Sequence, residues 1–176
     1  MSQTSYAINL NAAAYPGQIA DSGPKDVLSA INVAAAIPYG LLAVVDASNT
    51  GSFEELACKL PAASADITTV GKQLGVVMAD QARAQNPAVS GPQYPISSAV
   101  PCGKVGRFWV QPESAVVDGG KVYARWQTGD NGTQPGAFGG VLDTSVVGNA
   151  LLANAVWRGT YAYVSGGYAV IEMLLV

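Results

Sequence analysis

Residues 161–175 read Tyr-Ala-Tyr-Val-Ser-Gly-Gly-Tyr-Ala-Val-Ile-Glu-Met-Leu-Leu, and the fold class turns on them. Ala169, Ile171, Met173 and Leu175 fall on one face of a two-residue alternation, with Tyr168 and Glu172 on the other. That is the period of a half-buried strand. Tyr161–Val164 and Tyr168–Val170 flank Ser165-Gly166-Gly167, a glycine-rich turn that joins antiparallel strands, so the stretch predicts a hairpin.

The same reading extends upstream. Between Gly, Pro, Asn and Asp turns lie further short strand candidates: Leu41–Asp46, Phe53–Cys58, Gln73–Asp80, Lys104–Gln111 and Lys121–Gln127, besides Thr160–Ser165 and Tyr168–Leu175. In Lys121–Gln127, Val122, Ala124 and Trp126 alternate with Tyr123 and Arg125. Lys104–Gln111 is apolar on both faces (Val105 and Trp109; Phe108 and Val110), as expected of a strand covered on both sides. Two stretches read as loops: Ala82–Ser98, with three prolines, and Thr128–Gly140, with five glycines. Ala-Val-Val-Asp recurs at 43–46 and 115–118, too short a repeat to establish a duplication. The chain is expected to be mainly β, a small barrel or sandwich with an extended N-terminal arm.

The arm is residues 1–40, and residues 41–176 form the β domain. Residues 1–40 are rich in Ala, Asn, Ser and Gln, and are punctuated by Tyr15-Pro16-Gly17, Ser22-Gly23-Pro24 and Ile37-Pro38-Tyr39-Gly40. Such punctuation favours extended chain and turns. Within it Val27, Ile31 and Ala34 are spaced for one face of a short helix over residues 24–35. Fully stretched, forty residues reach roughly 130 Å at ~3.3 Å each, far beyond the domain itself.

Composition removes several kinds of chemistry. The 176 residues include no histidine, which excludes Ser-His-Asp and Cys-His catalysis, histidine-ligated zinc and switching near neutral pH. With only Cys58 and Cys102, one chain cannot supply a four-thiolate metal site. The default for the pair is two small, partly buried, reduced thiols; a disulfide needs their Cα atoms within about 7 Å. Nine basic and twelve acidic residues make 12% of the chain, about half the usual share of roughly 25%. The positive residues are scattered, with no basic stripe for nucleic acid. Residues 27–45 carry no charge over 19 positions, but Ser29, Asn32, Pro38 and Gly40 break them as a membrane span. The first basic residue is Lys25, so the N-terminus lacks a signal peptide's basic region and synthesis in the cytoplasm is expected.

Short motifs add no reaction. Ser22-Gly23-Pro24-Lys25 matches S-x-x-K, without that chemistry's companion motifs and with a proline between the pair. Glu54 and Glu55 are adjacent and would point to opposite faces of a strand. Asp118, Asp130 and Asp143 sit in turn contexts, and Asn131-Gly132-Thr133 reads as a turn. Trp109, Trp126, Trp157, Tyr161 and Tyr163 read as strand residues and as core or interface anchors.

Several blocks resemble a known family. Tyr15-Pro-Gly-Gln-Ile-Ala-Asp21-Ser-Gly23, Asp26-Val-Leu-Ser and Ile37-Pro-Tyr-Gly40 are similar to the N-terminal signature of tailed-phage structural cement, or capsid decoration, proteins. Leu74-Gly-Val-Val77, Gly106-Arg-Phe-Trp-Val110, Gly119-Gly-Lys-Val-Tyr123 and Gly166-Gly-Tyr-Ala-Val-Ile-Glu172 follow in that family's order. The resemblance implies a β-barrel-like domain on the outside of an icosahedral head, between capsomers, with no enzymatic activity, cofactor or metal. It implies the major capsid protein as partner; self-association as a dimer or trimer, the trimer favoured, is expected because symmetric association is the rule, and the scattered charges and broken apolar run predict no contact with nucleic acid or membrane. Capsid or intersubunit contact is then expected at Tyr15, Pro16, Ile19, Val27, Ile31, Pro38 and Tyr39. Pro16, Gly17, Gly23, Pro38 and Gly40 would set the bends of the arm. A phage tail or baseplate module, or a carbohydrate-binding β-sandwich stacking sugars on exposed aromatics, is the alternative.

Overall fold

A computed structural model describes residues 15–21, 23, 25–47, 56–80, 93–128, 134–142 and 148–175. The expected arm before Tyr15, the Ser22/Pro24 motif positions, Glu54, Glu55, Asp130, Asp143, the sequon and most of the loop at 82–98 lie outside these residues.

The strands are β1 (Asp26–Asn32), β2 (Ile37–Pro38), β3 (Leu42–Val45), β4 (Ala57–Lys59), β5 (Gln73–Val77), β6 (Gln93–Tyr94) and β7 (Ala99–Val110). They continue with β8 (Lys121–Arg125), β9 (Phe138–Gly139), β10 (Asn149–Arg158) and β11 (Ala169–Leu174). Among the described residues one short helix, α1 (Ser64–Thr68), follows β4. Nine strands form one sheet in the order β1-β4-β3-β5-β7-β11-β10-β8-β9, and a further β1–β7 pairing closes the first five into a barrel. β2 and β6 pair separately.

Two cores result. One fills the barrel with Ala30, Ile37, Tyr39, Ala43, Cys58, Leu74, Val77, Tyr94, Val100 and Cys102. The other lies between the barrel and the rest of the sheet, around Leu42, Val44, Val76, Phe108, Phe138, Trp157 and Ile171. Alternation explains how both are built from the same strands, since Leu42 and Val44 face one core and Ala43 the other. β7 serves both along its length: Val100 and Cys102 line the barrel, Phe108 and Val110 the second core. The change occurs across Gly103 and Gly106. A side chain at Gly103 would collide with the Phe108 ring, and Gly106 takes φ +130°, a backbone conformation open to glycine.

The helix expected over 24–35 is instead β1. It pairs antiparallel with β7 from Asp26↔Val105 to Ile31↔Ala99, and parallel with β4 at Ile31↔Ala57. An isolated helix of that length is marginal, whereas pairing on both edges satisfies the backbone outright. Residues 25–40 therefore belong to the barrel. Tyr161 makes only a bridge to Val116, so Thr160–Ser165 is not a strand. Its hydroxyl donates to the Val164 carbonyl at 2.7 Å and accepts that residue's N–H at 3.1 Å, closing a local loop. The expected turn forms at Ser165–Gly166, but the strand partnering β11 is β10. In β10 the buried residues run Ala150, Leu152, then Ala155, Trp157, because the ladder with β8 shifts register between Leu151 and Val156. That bulge erases the two-residue period in the sequence.

Candidate interaction surface

Tyr15 to Asp21 form a strap across β7. The Gly17 N–H donates to the Trp109 carbonyl (2.7 Å), the Trp109 N–H to Gln18 (2.8 Å) and the Ala20 N–H to Arg107 (2.8 Å). On its other side the Ala79 N–H donates to the Gly17 carbonyl at 3.0 Å. Gly17 has φ +78°, and a Cβ there would overlap the Val77 carbonyl oxygen and lie 2.9 Å from the Ala79 nitrogen. Gly40, φ +76°, sits against Pro16 in the same way. The Tyr15-Pro-Gly-Gln turn and the Ile37-Pro-Tyr-Gly turn thus dock on each other through their glycines.

Beyond the strap, three blocks distant in sequence meet through charge. Arg107 Nη1 lies 3.1 Å from Asp21 Oδ2, and Arg107 Nε 3.5 Å from Glu172 Oε2; Arg158 also pairs with Glu172. Register places them together, because Glu172 stands opposite Arg107 on one side and Val156 on the other. These pairs are half-exposed and each stabilises by roughly 0.2–1 kcal/mol. Sequence reasoning left them out of the site, although Asp21, Arg107 and Glu172 each lie in a block that carried the resemblance.

Six of the seven expected contact residues divide into two groups. Pro16, Pro38 and Tyr39 line a groove of about 310 Å³, with Pro112, Glu113, Gln134 and Tyr163 among its other walls. Tyr15 precedes its rim and is 58% exposed, whereas Tyr39 is only 4% exposed, its ring tilted at 52° to the Tyr94 ring with centroids 5.0 Å apart. Val27 and Ile31 lie instead on the outside of the barrel. Their face of β1 carries Ser29 and stands opposite Ala99, Pro101 and Gly103 of β7, with Leu56 hydrogen-bonded beside Ile31. Among the described residues these paired positions carry no charged side chain, and Val27 is 44% exposed. Ile19 joins neither group and packs on the second core.

Behind the groove, Arg125 Nε donates to both oxygens of Glu113 at 3.0 and 2.9 Å, with side chains only 9% and 10% exposed. Glu113 also lines a second cavity of about 280 Å³ bounded by Ser114, Val141, Leu142 and Asn149. The aromatic expectations resolve one by one: Trp157 is core, Trp126 and Tyr161 pack partly buried against it, Trp109 is half-buried on the sheet, and Tyr163 is half-exposed at the groove. Burial pushes the Cys58 thiol up to about 11, and burial followed by the neighbouring Cys58 raises Cys102 further. Both thiols are unpaired by a disulfide and lie inside the barrel. Among the described residues no group of three or more His, Cys, Asp or Glu could hold a metal ion, and no helix is long and apolar enough to cross a membrane.

The geometry defines a β-barrel protein with exposed Val27 on one outer face and a cluster of paired charges, Asp21, Arg107, Arg158 and Glu172, on the sheet. The model of the structural cement protein family (E217 gp24/Pam3 gp6) matches residues 2–174, and the chain belongs to that family. It is accordingly a structural, capsid-associated protein of the virion. Among curated proteins, no relative matches. Among solved structures, a chain of the capsid of Myoviridae phage XM1 shares the fold with a TM-score of 0.64 at 14% identity, covering 90% of this chain and 89% of that one.

Proposed function

We propose that the chain binds the outside of the icosahedral head between capsomers, contacts the major capsid protein, and holds the shell against the pressure of packaged DNA. The observation that carries this reading is the family match over nearly the whole chain. The exposed Val27 on the outside of the barrel and the exposed Tyr15 at the groove support it as contact surface. In this reading Ile19 and Tyr39 act indirectly, by holding the strap and the groove wall in place. Many modest contacts acting together supply what a small domain cannot supply singly, and symmetric self-association as a dimer or trimer multiplies them. The protein performs no reaction and uses no cofactor in this role.

The test adds purified protein to DNA-filled heads stripped of it, which present only their outer surface. Saturable binding at a fixed number of copies per head, with a raised temperature of DNA release, is the expected result. Failure to bind heads, with binding to polysaccharide instead, refutes it.

A further inference from the structure

Residues 1–14 read Met-Ser-Gln-Thr-Ser-Tyr-Ala-Ile-Asn-Leu-Asn-Ala-Ala-Ala. Tyr6, Ile8, Leu10 and Ala12 alternate with Ser5, Ala7, Asn9 and Asn11, the two-residue period of a strand with one apolar face and one polar face. The segment has no charged side chain, no glycine and no proline. An alternating segment of this kind needs a surface that takes side chains from one face only.

Such a surface stands at the point where the segment joins the described chain. Pro16 forms part of the rim of the groove walled by Pro38, Tyr39, Pro112 and Tyr163. Proline and tyrosine walls are joined by Leu41 and Ala137, and Gln111 and Gln134 offer amides to Asn9 or Asn11. Neither partner brings an unpaired charge, because the groove's Glu113 is already held by Arg125. The volume, about 310 Å³, suits two of the three large apolar side chains, which stand about 7 Å apart along one face of an extended chain.

Direction decides whose groove is filled. An extended chain running back from Tyr15 carries Tyr6 about 30 Å away at ~3.3 Å per residue. A domain of this size has a radius of gyration of roughly 16 Å, so Tyr6 comes to lie beyond its own groove. Re-entering that groove would need a reversal just before Tyr15, and the residues there, Ala12-Ala13-Ala14, carry none of the usual turn chemistry. We infer that the groove of one copy receives residues 6–12 of a second copy, so that neighbouring subunits are linked by exchanged N-terminal segments. The inference rests on the reading of the chain as a shell subunit and names what the groove takes within it.

The experiment uses free protein and no heads. A labelled peptide of residues 1–14 is titrated into a chain lacking residues 2–14, and into the same truncated chain carrying Tyr163→Arg. In parallel, sedimentation velocity compares the full chain, the truncated chain and the full chain carrying I8D and L10D. Saturable peptide binding that Tyr163→Arg weakens by about tenfold or more, with self-association in the full chain alone, is the expected result. No peptide binding, or binding that ignores Tyr163→Arg, overturns the inference. So does a full chain that stays monomeric while the peptide binds, since the segment then fills its own groove; so does a truncated chain that associates as well as the full one. Head binding by the same proteins is scored separately, so the capsid reading can fail while the exchange stands, or the reverse.

Discussion

Replacing Gly17 by alanine should loosen the strap, and the cost can be worked from the geometry. The left-handed backbone alone costs an L-residue about 1–2 kcal/mol. The new Cβ would overlap the Val77 carbonyl oxygen and crowd the Ala79 and Gly40 nitrogens at 2.9 and 3.0 Å, all backbone atoms that no rotamer can move aside. The strap must therefore lift, and with it go the bonds from Gly17 to Trp109 (2.7 Å) and from Ala79 to Gly17 (3.0 Å). Each is worth roughly 0.5–1.5 kcal/mol net. The total is about 2–5 kcal/mol, or a fall in Tm of about 4–20 °C at 2–4 °C per kcal/mol for this size of chain. Gly71→Ala is the control: it too has positive φ (+85°), but nothing lies within 4 Å of its Cβ, so only the backbone cost applies. Thermal melts of both variants, with the rate of tryptic cleavage after Lys25 as a local probe, separate the two contributions. A Gly17→Ala protein that melts with Gly71→Ala and is cleaved at the wild-type rate would refute the strap as a docked element.

Three further outcomes follow from the interior. Asp66 is opposed by burial, but N–H groups of Ala62 and Ala63 and the Lys72 ammonium outweigh it and hold its carboxyl below the usual carboxylate range. Its contribution is present above the unfolded value near 3.9 and is lost as pH falls through the lower folded value, so Asp66→Asn should flatten the acid limb of Tm against pH, read by circular dichroism. Cys58 and Cys102 should resist iodoacetamide at pH 8 in the native protein and both react in denaturant, counted by mass; their burial favours folding below the ordinary thiol value near 8.5, an advantage lost as pH climbs toward about 11. Arg125→Met takes the bidentate guanidinium from the buried Glu113 carboxylate and should cost about 3–5 kcal/mol by urea unfolding, most of it recovered in the double variant Arg125→Met/Glu113→Leu.

Much of the barrel was legible because its strands keep a two-residue period between strong turns. Leu42–Val45, Gln73–Val77, Lys121–Arg125 and Ala169–Leu174 all fall inside segments expected as strands. Where the period fails, so did the reading: β10 hides behind its bulge, and β1 shows a helical spacing that pairing on two edges overrides. Tyr161 and Tyr163 alternate like strand residues, yet the Tyr161 hydroxyl closes a loop that no local pattern announces. The surface was legible in part. Pro16, Pro38 and Tyr39 do come together, but the meeting of Asp21, Arg107 and Glu172 depends on register between distant strands, which a single sequence does not encode locally.

The strap changes what an arm means in this chain. Residues 15–21 are rich in turn residues and read as part of an extended arm, yet they are bound along β7 by three backbone bonds, at Gly17, Trp109 and Ala20, with Asp21 held by Arg107 beyond them. The bridge between Ile19 and Phe108 is antiparallel, so a pull along the strap loads these bonds together in shear instead of opening them one at a time. If residues 1–14 grip a neighbour in the shell, tension enters at Tyr15 and passes to β7. That strand has barrel neighbours β1 and β5 along its first half and β11 along its second. Load entering at the strap is then spread over both cores. On this argument the strap is the joint between a gripping segment and a stiff body, and its glycines are fixed by close packing more than by any need to bend.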